Sequence, residues 1–96
     1  MSETTNVNEM LAGREARCGS FQGHSEISQM IKQVIHSAAK ARNKELESDQ
    51  LEALDMIAHK IARIINGDPN YADNWIDIAG YATLVANRLE KEDNAQ

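Results

Sequence analysis

Apolar residues recur along most of this chain at steps of three and four, the period of a helix that buries one side. A first short stretch, residues 6 to 17, turns Val7, Met10, Leu11 and Ala16 to one side. A longer one runs from Ser25, a residue type that caps helices, to about Arg42, with Ile27, Met30, Ile31, Val34, Ile35, Ala38 and Ala41 on its stripe. Ser48-Asp-Gln opens a third, whose stripe of Leu51, Leu54, Ile57, Ala58, Ile61, Ile64 and Ile65 stops at Asn66-Gly67, a favourable end signal. After the loop Asp68-Pro-Asn-Tyr-Ala, a fourth helix from Asp73 carries Trp75, Ile78, Ala79, Ala82, Val85, Ala86 and Leu89 on one side. Its other side mixes Ile76, Asp77, Gly80, Tyr81 and Leu84, which predicts packing on both sides.

The pattern predicts an all-α chain: one small four-helix domain over residues 6 to 90, between a disordered start (1 to 5) and a flexible charged tail (91 to 96). The short loop before Asp73 makes the two C-terminal helices an antiparallel pair. Cys18-Gly-Ser-Phe-Gln-Gly-His24, with glycines on both sides of Phe21, reads as a turn or a ligand loop, and His24 as a turn residue. The second apolar side of the last helix predicts a homo-oligomer, a dimer or tetramer of closed symmetry, because Ile76, Tyr81 and Leu84 would otherwise form an exposed patch.

Composition supports the class and narrows the partners. With 42% hydrophobic residues and four aromatics in 96 positions, there is material for one core and little for a sandwich or barrel. Cys18 stands alone, and the first residues lack both a basic and an apolar signal segment, the pattern of a cytoplasmic protein in a reducing compartment. No apolar run approaches the roughly 20 residues needed to cross a bilayer. A net charge of −5 argues against binding a nucleic-acid duplex and leaves a free nucleotide or another protein as the partner.

Polar residues at helical steps supply the candidate chemistry. Glu52, Asp55, His59 and Arg63 form one row on the third helix, and Asp73 and Asp77 stand one turn into the fourth. One reading is a solvated face of ion pairs, with Lys60 or Arg63 meeting Asp73 or Asp77 across the antiparallel pair. The other is a site in which Glu52, Asp55, Asp73 and Asp77 hold Mg²⁺, since carboxylates one turn apart on two neighbouring helices can converge on one cation. Glu52, Asp55 and Asp77 are then the catalytic candidates, Lys60, Arg63 and His59 the groups that contact the ligand, and Tyr71 the aromatic free to stack on a base. His36 reads as a surface residue, and Trp75 as core. No zinc spacing and no phosphate-binding glycine loop is present.

Two stretches resemble something specific: Gly19-Ser-Phe with His24-Ser-Glu-Ile-Ser-Gln-Met-Ile-Lys32, and Glu52-Ala-Leu-Asp-Met-Ile-Ala-His-Lys-Ile-Ala-Arg-Ile-Ile-Asn-Gly-Asp-Pro-Asn-Tyr-Ala-Asp-Asn-Trp-Ile-Asp-Ile-Ala-Gly-Tyr-Ala82. They look like a family of short proteins encoded by tailed phages and prophages, which implies the cytoplasm of an infected or lysogenic bacterium. More distantly, the chain is similar to the MazG-type all-α nucleoside triphosphate pyrophosphohydrolases, whose paired E-x-x-E and E-x-x-D motifs hold Mg²⁺ over the phosphates. In one threading Glu52-x-x-Asp55 is the first motif and Asn74-x-x-Asp77, beside Asp73, the second; in the other, Glu26-x-x-Gln29 precedes Glu52-x-x-Asp55. Each threading lacks an acid, at Asn74 or at Gln29. The resemblance implies either a Mg²⁺-dependent nucleotide pyrophosphohydrolase or a non-catalytic phage protein that sequesters a nucleotide signal or inhibits a host protein.

Overall fold

The computed structural model describes residues 3 to 95, with side chains from 6 to 94, and is built of four helices: α1 (Glu3–Cys18), α2 (Phe21–Ala41), α3 (Ser48–Asn66) and α4 (Ala72–Ala95). No strand occurs among the described residues. The disordered start expected at residues 1 to 5 lies partly outside them, with α1 already helical from Glu3, and α4 stays helical through the expected tail as far as Ala95.

Local chemistry explains most of the boundaries. Ser20, in an extended conformation, caps α2 by accepting the Gly23 N–H (3.1 Å), so the cap lies five residues before the one expected at Ser25. Phe21 thus opens a helix instead of sitting in a turn, and at 80% exposure it packs against no core. Asn43, in the left-handed region (φ 52°), ends α2, a conformation that asparagine tolerates. At the head of α3 the Gln50 side chain accepts the Glu47 N–H (2.9 Å). Between α3 and α4 the Asp68 carboxylate accepts the Asn70 N–H, a turn that launches α4 antiparallel to α3.

Two ion pairs fix the register of that antiparallel pair. Near the turn, Lys60 Nζ lies 2.8 Å from Asp77 Oδ2; at the far end, the Arg88 guanidinium grips both oxygens of Asp49. The Arg88 hydrogen bonds hold the Asp49 carboxyl below its usual range, and Arg88 in turn is pushed up by Asp49 and Glu92. Of the pairings foreseen between Lys60 or Arg63 and Asp73 or Asp77, the one between Lys60 and Asp77 is formed. Gly80, by contrast, receives no close neighbour: a Cβ there would meet nothing within 4 Å.

α3 is the hub. It packs against α2 on one flank and α4 on the other, α1 leans on α3 and α2, and α4 touches α3 alone. Its buried residues, Ala53, Ala58, Lys60, Ala62 and Ile64, consequently point to more than one side. The result is a layer three helices wide, not a closed bundle. Its long dimension is 56 Å, and its radius of gyration of 16.5 Å exceeds the ~12.5 Å of a compact chain of this length. Trp75, read as core, is 55% exposed at the edge of the layer, where its indole N–H donates to the Pro69 carbonyl. Ile61, in the middle of the α3 stripe, is 37% exposed, so a charge there meets water and costs less than an interior site would demand.

Candidate functional site

The α1–α2 elbow is clasped to the end of α3. Asn66 Nδ2 donates to the carbonyls of Cys18 (2.7 Å) and Ser20 (2.8 Å), and the Asp68 N–H donates to the Arg17 carbonyl (2.7 Å). Glycine is required on both sides of this contact. Gly19 adopts φ +72°, and a Cβ on Gly67 would stand 2.3 Å from the Arg17 carbonyl oxygen and 2.4 Å from Cys18 Cα. The Arg17 guanidinium also covers the Tyr71 ring, 5.3 Å from its centroid. Tyr71, expected to be free for stacking, is thus already occupied, and its hydroxyl donates to Asp73, which raises its pKa.

This clasp encloses a cleft of about 360 Å³ between α1, the start of α2 and α3, lined by Leu11, Arg14, Glu15, Cys18, Gly19, Phe21, His24, His59 and Arg63. Small-molecule sites begin near this size. At its floor the two imidazoles meet edge to face, His24 Nε2 3.2 Å from His59 Nδ1. His24 is only 5% exposed, and its Nδ1 is buried without a hydrogen-bond partner. Burial first, then the positive charges of Arg63, Lys32 and Lys60, lower the pKa of both rings, that of His59 to about 4 with His24 itself contributing. Both are neutral at pH 7, in a cleft whose nearby formal charge is cationic. Arg14 and Arg63 enter no ion pair among the described residues.

The depressed histidines make stability depend on pH. The unfolded chain binds protons through these rings near pH 6.5 and the folded chain does not, so stability is unaffected above that value and falls as the pH drops towards 4. Partial solvent access limits the His59 share to roughly 1 to 2 kcal/mol. Urea unfolding at a series of pH values from neutral to weakly acid should show a shallower loss in His59→Gln than in the parent. Parallel curves would mean that His59 titrates normally.

The structure separates the four carboxylates predicted to hold a metal. Asp55 turns to α2 and accepts from or pairs with His36 Nε2 (2.8 Å), Asp73 accepts from Tyr71, Asp77 holds Lys60, and Glu52 joins none of them. Among the described residues no three side chains of His, Cys, Asp or Glu converge on one point, so this donor set does not fit an oxygen-coordinated Mg²⁺. Asn74, which occupies an acid position in one threading, is 1% exposed and belongs to the interior. Of the groups expected to contact a ligand, His59 and Arg63 do line the cleft, whereas Lys60 is committed to Asp77 and Tyr71 to Arg17 and Asp73. The sequence placed Phe21 and His24 in a turn or ligand loop, with His24 ranked as a turn residue, and did not single out Arg14. Gly23, beside His24, suggested a turn; in the folded chain its bareness serves contact with Asn66, whose Oδ1 would lie 2.5 Å from a Cβ.

No helix among the described residues is long and apolar enough to cross a membrane. Comparison with curated proteins and with solved structures gives no match. A protein-family model does match over residues 5–89, nearly the whole helical array and every residue of the cleft, and the chain therefore belongs to the family described as Domain of unknown function (DUF6378).

Proposed function

We propose that the protein is a binding module for a small anionic ligand of the nucleotide type, held in the cleft between α1, α2 and α3. The observation that carries this reading is the part-buried His24–His59 pair flanked by the guanidinium groups of Arg14 and Arg63, which form no ion pair among the described residues. Two guanidinium groups lining one cleft, Arg14 from α1 and Arg63 from α3, suit phosphate oxygens, each able to donate a fork of hydrogen bonds. The exposed ring of Phe21 at the rim offers a face for a base. An arriving anion raises the pKa of the neutral imidazoles, so binding draws in a proton and tightens as the pH falls below neutral. Binding without metal-dependent turnover is favoured because Glu52, Asp55, Asp73 and Asp77 each have a different neighbour. In the phage setting that the sequence resembles, such a module would withdraw a nucleotide or nucleotide-derived signal from the host.

Calorimetric titration with nucleoside mono-, di- and triphosphates, with and without Mg²⁺, tests it. The expected result is binding that needs no Mg²⁺, strengthens at lower pH and weakens about tenfold or more in Arg63→Gln, the loss of one charged hydrogen-bonding group. Absence of binding by every nucleotide, or affinity unchanged in Arg63→Gln, would remove the cleft as the site. Mg²⁺-dependent release of pyrophosphate that disappears in Glu52→Gln would instead restore the pyrophosphohydrolase.

A further inference from the structure

The side-chain contacts that join α2, α3 and α4 through charged or imidazole groups lie towards one side. His24 meets His59, His36 meets Asp55 and Lys60 meets Asp77 on the side that bears the cleft and α1. Helical geometry puts a different set of residues on the other side. On α3, Leu54 and Ile61 lie opposite His59 and Arg63; on α2, Met30 and Val34 lie away from His36; on α4, Trp75 and Leu89 share a stripe that is turned away from Asp77. All six of these apolar residues are exposed, Met30 and Val34 each at 64%. An apolar groove of about 300 Å³ between α3 and α4, walled by Leu54, Ile57, Ala82 and Val85, runs through the same side.

No charged residue interrupts this surface between Ile27 and Val34 on α2, Leu54 and Ile65 on α3, or Trp75 and Leu89 on α4. A chain with a net charge of −5 and a quarter of its residues charged has thus kept one broad side neutral. Depletion of charge with retention of Trp, Met and branched aliphatics is the composition of an interface core. The surface area gives the occupant. The chain exposes 7085 Å², against about 5,500 Å² for a compact chain of 10.7 kDa. The excess of roughly 1,600 Å² per chain, taken twice, falls in the range of permanent homodimers, from about 2,000 to 5,000 Å² in total.

We infer that a second copy of the chain covers this side, two three-helix layers stacking face to face around a two-fold axis. A two-fold contact sets the same patch against itself, which suits a surface that is largely apolar and, over these spans, uncharged. The patch differs from the one expected from sequence. Ile76 lies on the outer side of α4 and Leu84 two turns beyond Asp77 on the side of the cleft, both off the stripe of Trp75 and Leu89, and both stay exposed in this arrangement. The cleft of Arg14, His24, His59 and Arg63 faces away from the contact and remains open in both copies.

Sedimentation equilibrium on the full chain at micromolar concentration tests the inference. The expected mass is twice 10.7 kDa for the parent and for Leu84→Glu, and 10.7 kDa for Val34→Glu and Met30→Lys, with helicity by circular dichroism kept in all four. Both substituted α2 residues are already largely exposed within one chain, so neither change burdens the fold of the single copy. A parent mass of one chain would overturn the inference and leave the surface to a different protein. So would a dimer that survives both α2 substitutions, or one that Leu84→Glu alone dissociates.

Discussion

Gly67→Ala should be strongly damaging, lowering stability by about 2 to 4 kcal/mol. For a domain of this length that is a fall in Tm of roughly 10 to 20 °C. The cause is not the backbone angle, since Gly67 has φ −132°, which any residue can adopt. It is contact: the new methyl would stand 2.3 to 2.6 Å from backbone atoms of Arg17 and Cys18, which have no side-chain freedom with which to yield. The elbow would have to lift from α3, taking with it the hydrogen bonds from Asn66 and Asp68 that close the cleft. Gly80→Ala is the matched control. Nothing lies within 4 Å of its Cβ, and alanine in a helix interior is favoured over glycine, so stability should rise by about 0.5 to 1 kcal/mol. Thermal melting of the two variants at matched protein concentration, which an oligomer requires, checks both signs. A Gly67→Ala protein that melts with the parent would mean that the clasp is looser than its distances indicate.

The helices themselves were legible in the sequence because their period is local, although the cap of α2 lies at Ser20 and not at Ser25. The antiparallel α3–α4 pair was legible because five residues of loop leave few alternatives, and the Lys60–Asp77 contact followed from that pairing. What covers each apolar stripe was not. The positions Met30, Val34, Leu54 and Ile61 satisfy the helical period equally well whether a helix of the same chain or a second chain lies over them. Nor could the site be read. His24 and His59 are separated by 35 positions, and only the Asn66 clasp, which depends on the bareness of Gly19, Gly23 and Gly67, brings them within hydrogen-bonding distance. The carboxylate row misled for a related reason. Spacing places Asp55 and His59 on one row of α3, but that row faces α2, while Asp77 reaches α3 from the opposite flank, so residues that share a helical step end at different neighbours.

Asp77→Asn should lower stability by roughly 1 to 3 kcal/mol, and by the same amount in EDTA and in Mg²⁺. The asymmetry of the ion pair sets the size. The Lys60 side chain is 11% exposed and that of Asp77 46%, so the cation depends on its partner more than the carboxylate does. Removing the carboxylate charge leaves an ammonium group in the α3–α4 interface with only an amide to accept from it. The penalty stays below that of a fully enclosed pair because water reaches the Asp77 side. Lys60→Met is expected to cost less, since its methylenes are already packed and the abandoned carboxylate can be hydrated. The double variant should then recover most of the loss caused by Asp77→Asn alone, a coupling that a double-mutant cycle of unfolding free energies measures. Additive losses would show that the two groups meet without depending on one another. A parent stabilised by Mg²⁺, with that stabilisation gone in Asp77→Asn, would make Asp77 a metal ligand, because a cation that binds only the folded chain shifts melting through its own affinity.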